Sequence, residues 1–221
     1  MRHVVPATRE WPTQLDDLDD GTPPGLWLLG EADLRMLALR SVAVVGCRNA
    51  TAYGVALAGR WAAELVSAGW TVVSGAAFGI DAAAHRGALA AGGPTIAVMA
   101  GGVDVAVPLS HAGLIAEIAD SGMIVSEYPP GTPARRHSFL QRNRVIASLT
   151  RATLVVEAAQ RSGALNTANW AHALGRGVLA VPGPADAPTS RGTHRLIREG
   201  SAVLVRDVDD VLEQLHGLAA R

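Results

Sequence analysis

From Val42 onward the chain alternates short, β-branched apolar runs with alanine-rich amphipathic stretches. The runs VAVVG (42–46), TVVSG (71–75), TIAVMAGG (95–102), MIVSE (123–127), ATLVVEA (152–158) and GVLAVPG (177–183) predict strands. The stretches between them predict helices over 54–68, 81–91, 111–121, 138–149, 164–174 and 191–199, with a last one near 208–218. The strands read apolar throughout rather than alternating, as strands buried on both faces of a parallel sheet do. The order strand, helix, strand, repeated this often, predicts an α/β domain: an open, doubly wound, mostly parallel sheet of Rossmann type over residues 41–221. Residues 1–40 carry prolines at 6, 12, 23 and 24, and a cluster of Asp16, Asp17, Asp19 and Asp20. They read as an extended lead-in packed on the domain, with Trp11, Leu26, Trp27 and Leu28 as anchors.

In such sheets ligands sit beyond the carboxyl ends of the strands. The loops expected there are rich in glycine, serine and arginine. The first, GCRNATAYG (46–54), starts like a dinucleotide-binding turn but places Arg48 and Thr51 where the second and third glycines of G-x-G-x-x-G belong. Side chains there block the usual pyrophosphate pose, and the second strand ends in Ser74-Gly75 with no acid for a ribose. An NAD site is therefore not expected. Arg48 offers a side-chain fork for phosphate instead. Phosphate-binding loops are expected at Gly46 and Thr51, at Ser74, Gly75 and Gly79, and at Ser162 and Gly163, where a helix start supplies free N–H groups. Asp81 is expected to cap the following helix and to face His85, four residues on.

The run TPARRHSFLQRNRVIASL (132–149) is the most informative stretch. Arg135, Arg136 and His137 precede Phe139, one of two phenylalanines in the chain, and Arg142 and Arg144 follow it. A stacking face set among phosphate forks is the combination that single-stranded nucleic acid binding uses. Asn143 is expected to be buried, fixing the helix start. Net charge adds little, with 19 basic against 20 acidic residues. Cys47 is the only cysteine, which excludes an intrachain disulfide and makes a reducing cytosol the expected compartment. No apolar stretch reaches signal-peptide or membrane-spanning length. The seven histidines show no metal-ligand spacing, and no G-x-S-x-G elbow surrounds any serine. No metal, cofactor or catalytic residue is expected.

Taken together, VVGCRNATAYG (44–54), SGAAFGIDAAAH (74–85), TIAVMAGGVD (95–104), SEYPPGTP (126–133), FLQRNRVIASL (139–149), VVEAAQRSGALNTA (155–168), VPG (181–183) and SRGTHRLIREG (190–200) resemble the DNA processing protein A family (DprA, also called Smf). The resemblance implies an extended Rossmann fold that binds incoming single-stranded DNA in natural transformation, protects it and loads the recombinase RecA onto it. It implies a homodimer and no enzymatic activity. It places Arg48, Phe139, Arg142 and Arg144 in the DNA pocket, with Arg135 or Arg136 as the basic residue ahead of the phenylalanine. Cys47, Leu140 and Asn166 depart from the family pattern, and the length suggests the central domain alone. The competing expectation is a Rossmann enzyme that cleaves nucleoside monophosphates; QRSGALNTANWA stands where that class has its P-G-G-x-G-T-x-x-E block and lacks the glutamate.

Overall fold

The computed structural model describes residues 1–219. Nine strands form one sheet: β1 (Arg2–Val4), β2 (Leu26–Leu29), β3 (Ser41–Val45), β4 (Thr71–Ser74), β5 (Thr95–Val98), β6 (Met123–Ser126), β7 (Ala152–Val155), β8 (Gly177–Ala180) and β9 (Val203–Leu204). Their spatial order is β1-β2-β6-β5-β4-β3-β7-β8-β9, with β6 to β9 parallel and β1 and β2 antiparallel. Helices α1 (Leu34–Leu39), α2 (Ala52–Ser67), α3 (Ile80–Ala90), α4 (Ala112–Ser121), α5 (Arg136–Leu149), α6 (Gly163–Ala173), α7 (Arg191–Arg198) and α8 (Val208–Ala219) connect them. The six strands and seven helices expected from Val42 onward are all present, so the doubly wound, mostly parallel α/β reading holds.

Alternation along β3 shows how both faces are covered. Ala43 and Val45 pack under α5 and α6 with Val145, Ile146 and Leu165, whereas Val42 and Val44 pack under α2, α3 and α8 with Leu57, Trp61, Ile80 and Leu215. All five β3 residues are buried, which is why the run reads apolar at every position.

The lead-in does more than lie on the domain. β1 and β2 extend the sheet past β6, with Leu28 opposite Val125, and Trp11, Leu15 and Leu18 join the core beneath α5. Strands of three and four residues near prolines carry too little periodicity to be read ahead of the structure. The two-residue, exposed β9 escapes for the same reason. No described helix is long and apolar enough to cross a membrane.

One expected pairing is corrected. Asp81 is not the cap of α3; Gly79 holds that position, and Asp81 lies in the first turn with its carboxylate accepting from the backbone N–H of Gly75 at 3.2 Å. His85 turns away from it to Thr95, Nδ1 to Oγ1 2.8 Å. The Thr95 hydroxyl donates to Val72 O at 2.7 Å, so its single proton is used and His85 Nδ1 must be the donor. Nε2 is then unprotonated and buried without a partner.

Burial, with nearby Arg142 adding to it, pulls the His85 pKa down to about 3. The unfolded chain therefore takes up a proton on this residue below about pH 6.5 while the folded chain does not, and stability falls as the pH drops through that window. Unfolding free energy should decrease by about 1 kcal/mol between pH 6.5 and 5.5 from this residue alone. His85→Gln should flatten that slope in urea titrations at the two pH values; an unchanged slope would show that His85 does not carry it.

Candidate nucleic-acid interface

The sheet reverses its winding between β3 and β7, and a cavity of about 440 Å³ opens there, beyond the carboxyl ends of the strands. The β3–α2 loop supplies Gly46, Cys47, Arg48 and Asn49, and the β7–α6 loop supplies Ala159, Arg161, Ser162 and Gly163. From above, α5 lays Phe139, Leu140, Arg142 and Asn143 across the opening.

At the mouth, the guanidinium of Arg48 lies over the ring of Phe139, 5.0 Å from its centroid. Arg48 is solvent-exposed and Phe139 is half-buried, with Leu140 exposed beside it. A cation over an aromatic face leaves the other face of the ring as a stacking surface and holds the charge where a phosphate can reach it. Arg161, also exposed, lines the same opening. It stands one residue before the expected Ser162-Gly163 turn, a position from which its charge was legible, yet sequence reasoning passed over it.

The β4–α3 loop is held against the β3–α2 loop at Gly79. Its φ of +75° is a conformation that favours glycine, and a Cβ there would lie 2.2 Å from Cys47 O. This contact fixes the backbone of Arg48 and so the direction in which its side chain leaves. Cys47 itself is buried, its Sγ accepting from the N–H of Ala159 at 3.2 Å. Burial raises its pKa, which makes it a packing residue. Asn143 is buried as expected, and Nδ2 donates to Gly163 O at 3.3 Å and to Asn166 Oδ1 at 3.2 Å. The asparagine at 166 thus serves to tie α5 to α6.

Several expected ligand groups are engaged elsewhere. Arg144 donates to Glu127 Oε2 at 2.7 Å, to Gly21 O at 2.9 Å and to Gln141 O at 2.8 Å, joining α5 to the lead-in and away from the cavity. Arg142 lines the cavity but is only 5% exposed, and Nη1 donates inward to Val98 O at 2.7 Å. Burial lowers its pKa to about 10, where it still carries its charge at neutral pH. Its guanidinium fits because position 75 is glycine: a Cβ on Gly75 would sit 1.6 Å from Nη1. Asp81 stands nearby, its pKa raised by burial and partly offset by Arg142. Ser74 is fully buried, with its hydroxyl on Val44 O at 2.7 Å. The N–H of Gly75 is taken by Asp81. Ser74 and Gly75 are thus engaged within the loop, and Gly79 holds it against the β3–α2 turn.

Thr51 is corrected most instructively. Its backbone N–H donates to Glu157 Oε2 at 2.9 Å and its hydroxyl to Oε1 at 2.6 Å, while the same hydroxyl caps α2 by accepting from Gly54 N at 3.0 Å. The buried carboxylate of Glu157 sits at the start of α2, where a dinucleotide fold would bind its pyrophosphate. An internal anion already satisfies that helix terminus, which is a stronger obstacle to a dinucleotide than the missing glycines. Gly46, Ser162 and Gly163 do line the cavity, although the Ser162 hydroxyl faces Ala164 N at 3.3 Å as a helix cap. Arg135, Arg136 and His137 are exposed just outside it, where α5 begins.

A cationic, aromatic mouth thus opens at the switch point of a doubly wound, Rossmann-type sheet. The match is specific: residues 2–216 fit the model of the DNA recombination-mediator protein A family, and the chain belongs to that family. It is 47% identical over 222 residues to a DprA relative from Mycobacterium tuberculosis, covering 96% of this chain and 57% of that protein. Protein Smf of Escherichia coli is 41% identical over 216 residues, covering 97% and 57% respectively. The chain thus spans little more than half the length of these relatives. Among solved structures, DprA from Streptococcus pneumoniae superposes with a TM-score of 0.90 at 38% identity, over 96% of this chain and 73% of that one. DprA from Helicobacter pylori, described for its single-stranded DNA binding mode, matches with a TM-score of 0.86 at 27% identity, over 98% and 97%.

Proposed function

We propose that the chain binds single-stranded DNA across the mouth of the switch-point cavity. In this reading, an unpaired base stacks on Phe139, Arg48 and Arg161 meet the flanking phosphates, and Arg135, Arg136 and His137 extend the basic track. The observation that carries the proposal is the Arg48 guanidinium poised over the Phe139 ring at 5.0 Å. The family relation supports it, as does the Helicobacter pylori relative described with single-stranded DNA. By the same relation the DNA is that handled in natural transformation and recombination, the partner is RecA, the acting form is a homodimer and the compartment is the cytoplasm. The protein acts as a binder, not an enzyme. Asp81, which lines the cavity, is buried near Arg142, and Glu157 is committed to Thr51, which speaks against the nucleoside monophosphate reaction. Release of free base from nucleoside monophosphates incubated with the protein would reinstate that reading.

Single strands should bind more tightly than duplex, because only an unpaired base can stack, and affinity should fall as salt rises. Arg48→Ala should weaken all sequences alike and reduce the slope of log K against log[salt] by roughly one, with little change in folding. Fluorescence titrations over a salt series measure both. Equal affinity for the two forms, or an unchanged slope in the variant, would count against the proposed contact.

A further inference from the structure

Phe78, the other of the chain's two phenylalanines, is 48% exposed and stands in the β4–α3 loop, beside the loop that carries Arg48. A single apolar side chain in solvent needs no explanation, but this one is held in place. Its ring makes a T-shaped contact with the ring of His111, 4.8 Å between centroids and 69° between planes. His111 is fixed in turn: its Nδ1 donates to Ala76 O at 3.0 Å, since a carbonyl can only accept. On the backbone side, Ala76 has a φ of +54°, in the left-handed region that residues other than glycine seldom adopt, and Gly79 has a φ of +75°. Phe78 sits between these two reversals, with its ring turned to solvent instead of the core.

The sheet order brings this ring into line with the switch-point mouth. Strands β7, β3, β4 and β5 are adjacent and parallel, and the loops after them carry, in that order, Arg161, Arg48, Phe78 and His111. Arg48 reaches from one phenylalanine to the other. Its carbonyl lies against the residue after Phe78, where a Cβ on Gly79 would sit 2.5 Å from Arg48 O, and its guanidinium lies over Phe139. Ala77, the residue before Phe78, lines the cavity with Arg48 and Phe139. Neighbouring strands are about 4.8 Å apart, so β7 to β5 spans about 14 Å, against about 3.4 Å per nucleotide of a stacked strand. More than one base can therefore cross this edge, and a fixed aromatic ring next to a cation is what a second base needs.

We propose that Phe78 is a second stacking platform for the same single strand, taking a base further along it than the one on Phe139. This rests on the single-stranded DNA reading above and extends its footprint from the β3–α2 loop to the β4–α3 and β5–α4 loops. The test is fluorescence anisotropy of the full chain with a labelled oligothymidylate of about 16 nucleotides over a salt series. Phe78→Ala and Phe78→Leu should both weaken binding about fivefold or more with the salt slope unchanged, because leucine keeps the apolar bulk but has no flat face. Phe78→Trp should hold or tighten binding, and its added indole emission, read as the difference from the parent chain, should be quenched by the DNA. Wild-type affinity in Phe78→Leu alongside a loss in Phe78→Ala would overturn stacking in favour of apolar contact alone. Unchanged affinity in both, with Arg48→Ala and Phe139→Ala weakened, would overturn the second platform, leave the mouth standing and free the ring for an apolar partner protein. Unchanged affinity in all four would overturn the mouth as well. Phe78 is half-exposed, so melting temperatures should stay close to the parent's; should Phe78→Ala unfold, the leucine and tryptophan variants carry the same decision.

Discussion

Arg142→Ala is expected to lower unfolding free energy by about 3–5 kcal/mol, the range for removing one member of a buried charged set. The side chain is 5% exposed, fills the space that Gly75 leaves and holds Val98 O. Its loss strips Asp81 of the nearby positive charge that offsets burial. Asp81 has a pKa already raised in the folded state, and without Arg142 it rises further. The penalty should then grow as the pH climbs through that value, where the lone carboxylate ionises, and shrink in acid, where it is protonated. Adding Asp81→Asn should recover part of the loss, because a neutral amide needs no counter-charge. Urea titrations of the two single variants and the double variant measure this. Strict additivity, or a pH-independent loss, would show that Arg142 stabilises by packing alone.

Phe139→Ala is expected to weaken single-stranded DNA binding by roughly 1–3 kcal/mol, or about 5- to 150-fold, the range for losing one base stack. The salt slope should stay nearly constant, because no charge is removed. This distinguishes it from Arg48→Ala, where the slope changes. The ring is half-buried and its face meets the Arg48 guanidinium, so stability should fall by only about 1 kcal/mol, in keeping with an exposed cation–π contact. A core anchor of α5 would instead cost about 3–5 kcal/mol on truncation. Melting temperature and DNA affinity measured on the same preparation separate the two roles.

The central strands and their helices were legible because each had to bury both faces of a sheet or one face of a helix, and that demand writes a period into the residues. Within the site, legibility followed local context. Phe139 set between arginines, Arg48 on a tight turn and Asn143 at a helix start were read from their neighbours, and the structure places all three at one cavity. What the sequence hid was long-range partnering. Arg144 looks like a phosphate fork until Glu127, 17 residues earlier, is found beside it. Thr51 looks like part of an anion loop until Glu157, 106 residues later, takes its N–H and hydroxyl. Arg142 reads as a pocket cation free for a ligand because nothing near it in sequence announces Val98 O or the space that Gly75 leaves. A local pattern reports which groups can bind an anion, and only the tertiary fold reports which of them are already satisfied.

The claim that the Arg48–Phe139 mouth is where single-stranded DNA lies is tested most directly by photo-crosslinking. An oligonucleotide carrying 5-iodouracil would be irradiated on the protein and the adducts mapped by mass spectrometry. The account predicts that the principal adduct falls on Phe139 and disappears in Phe139→Ala. A principal adduct on a residue remote from the switch-point cavity, unchanged in that variant, would contradict it.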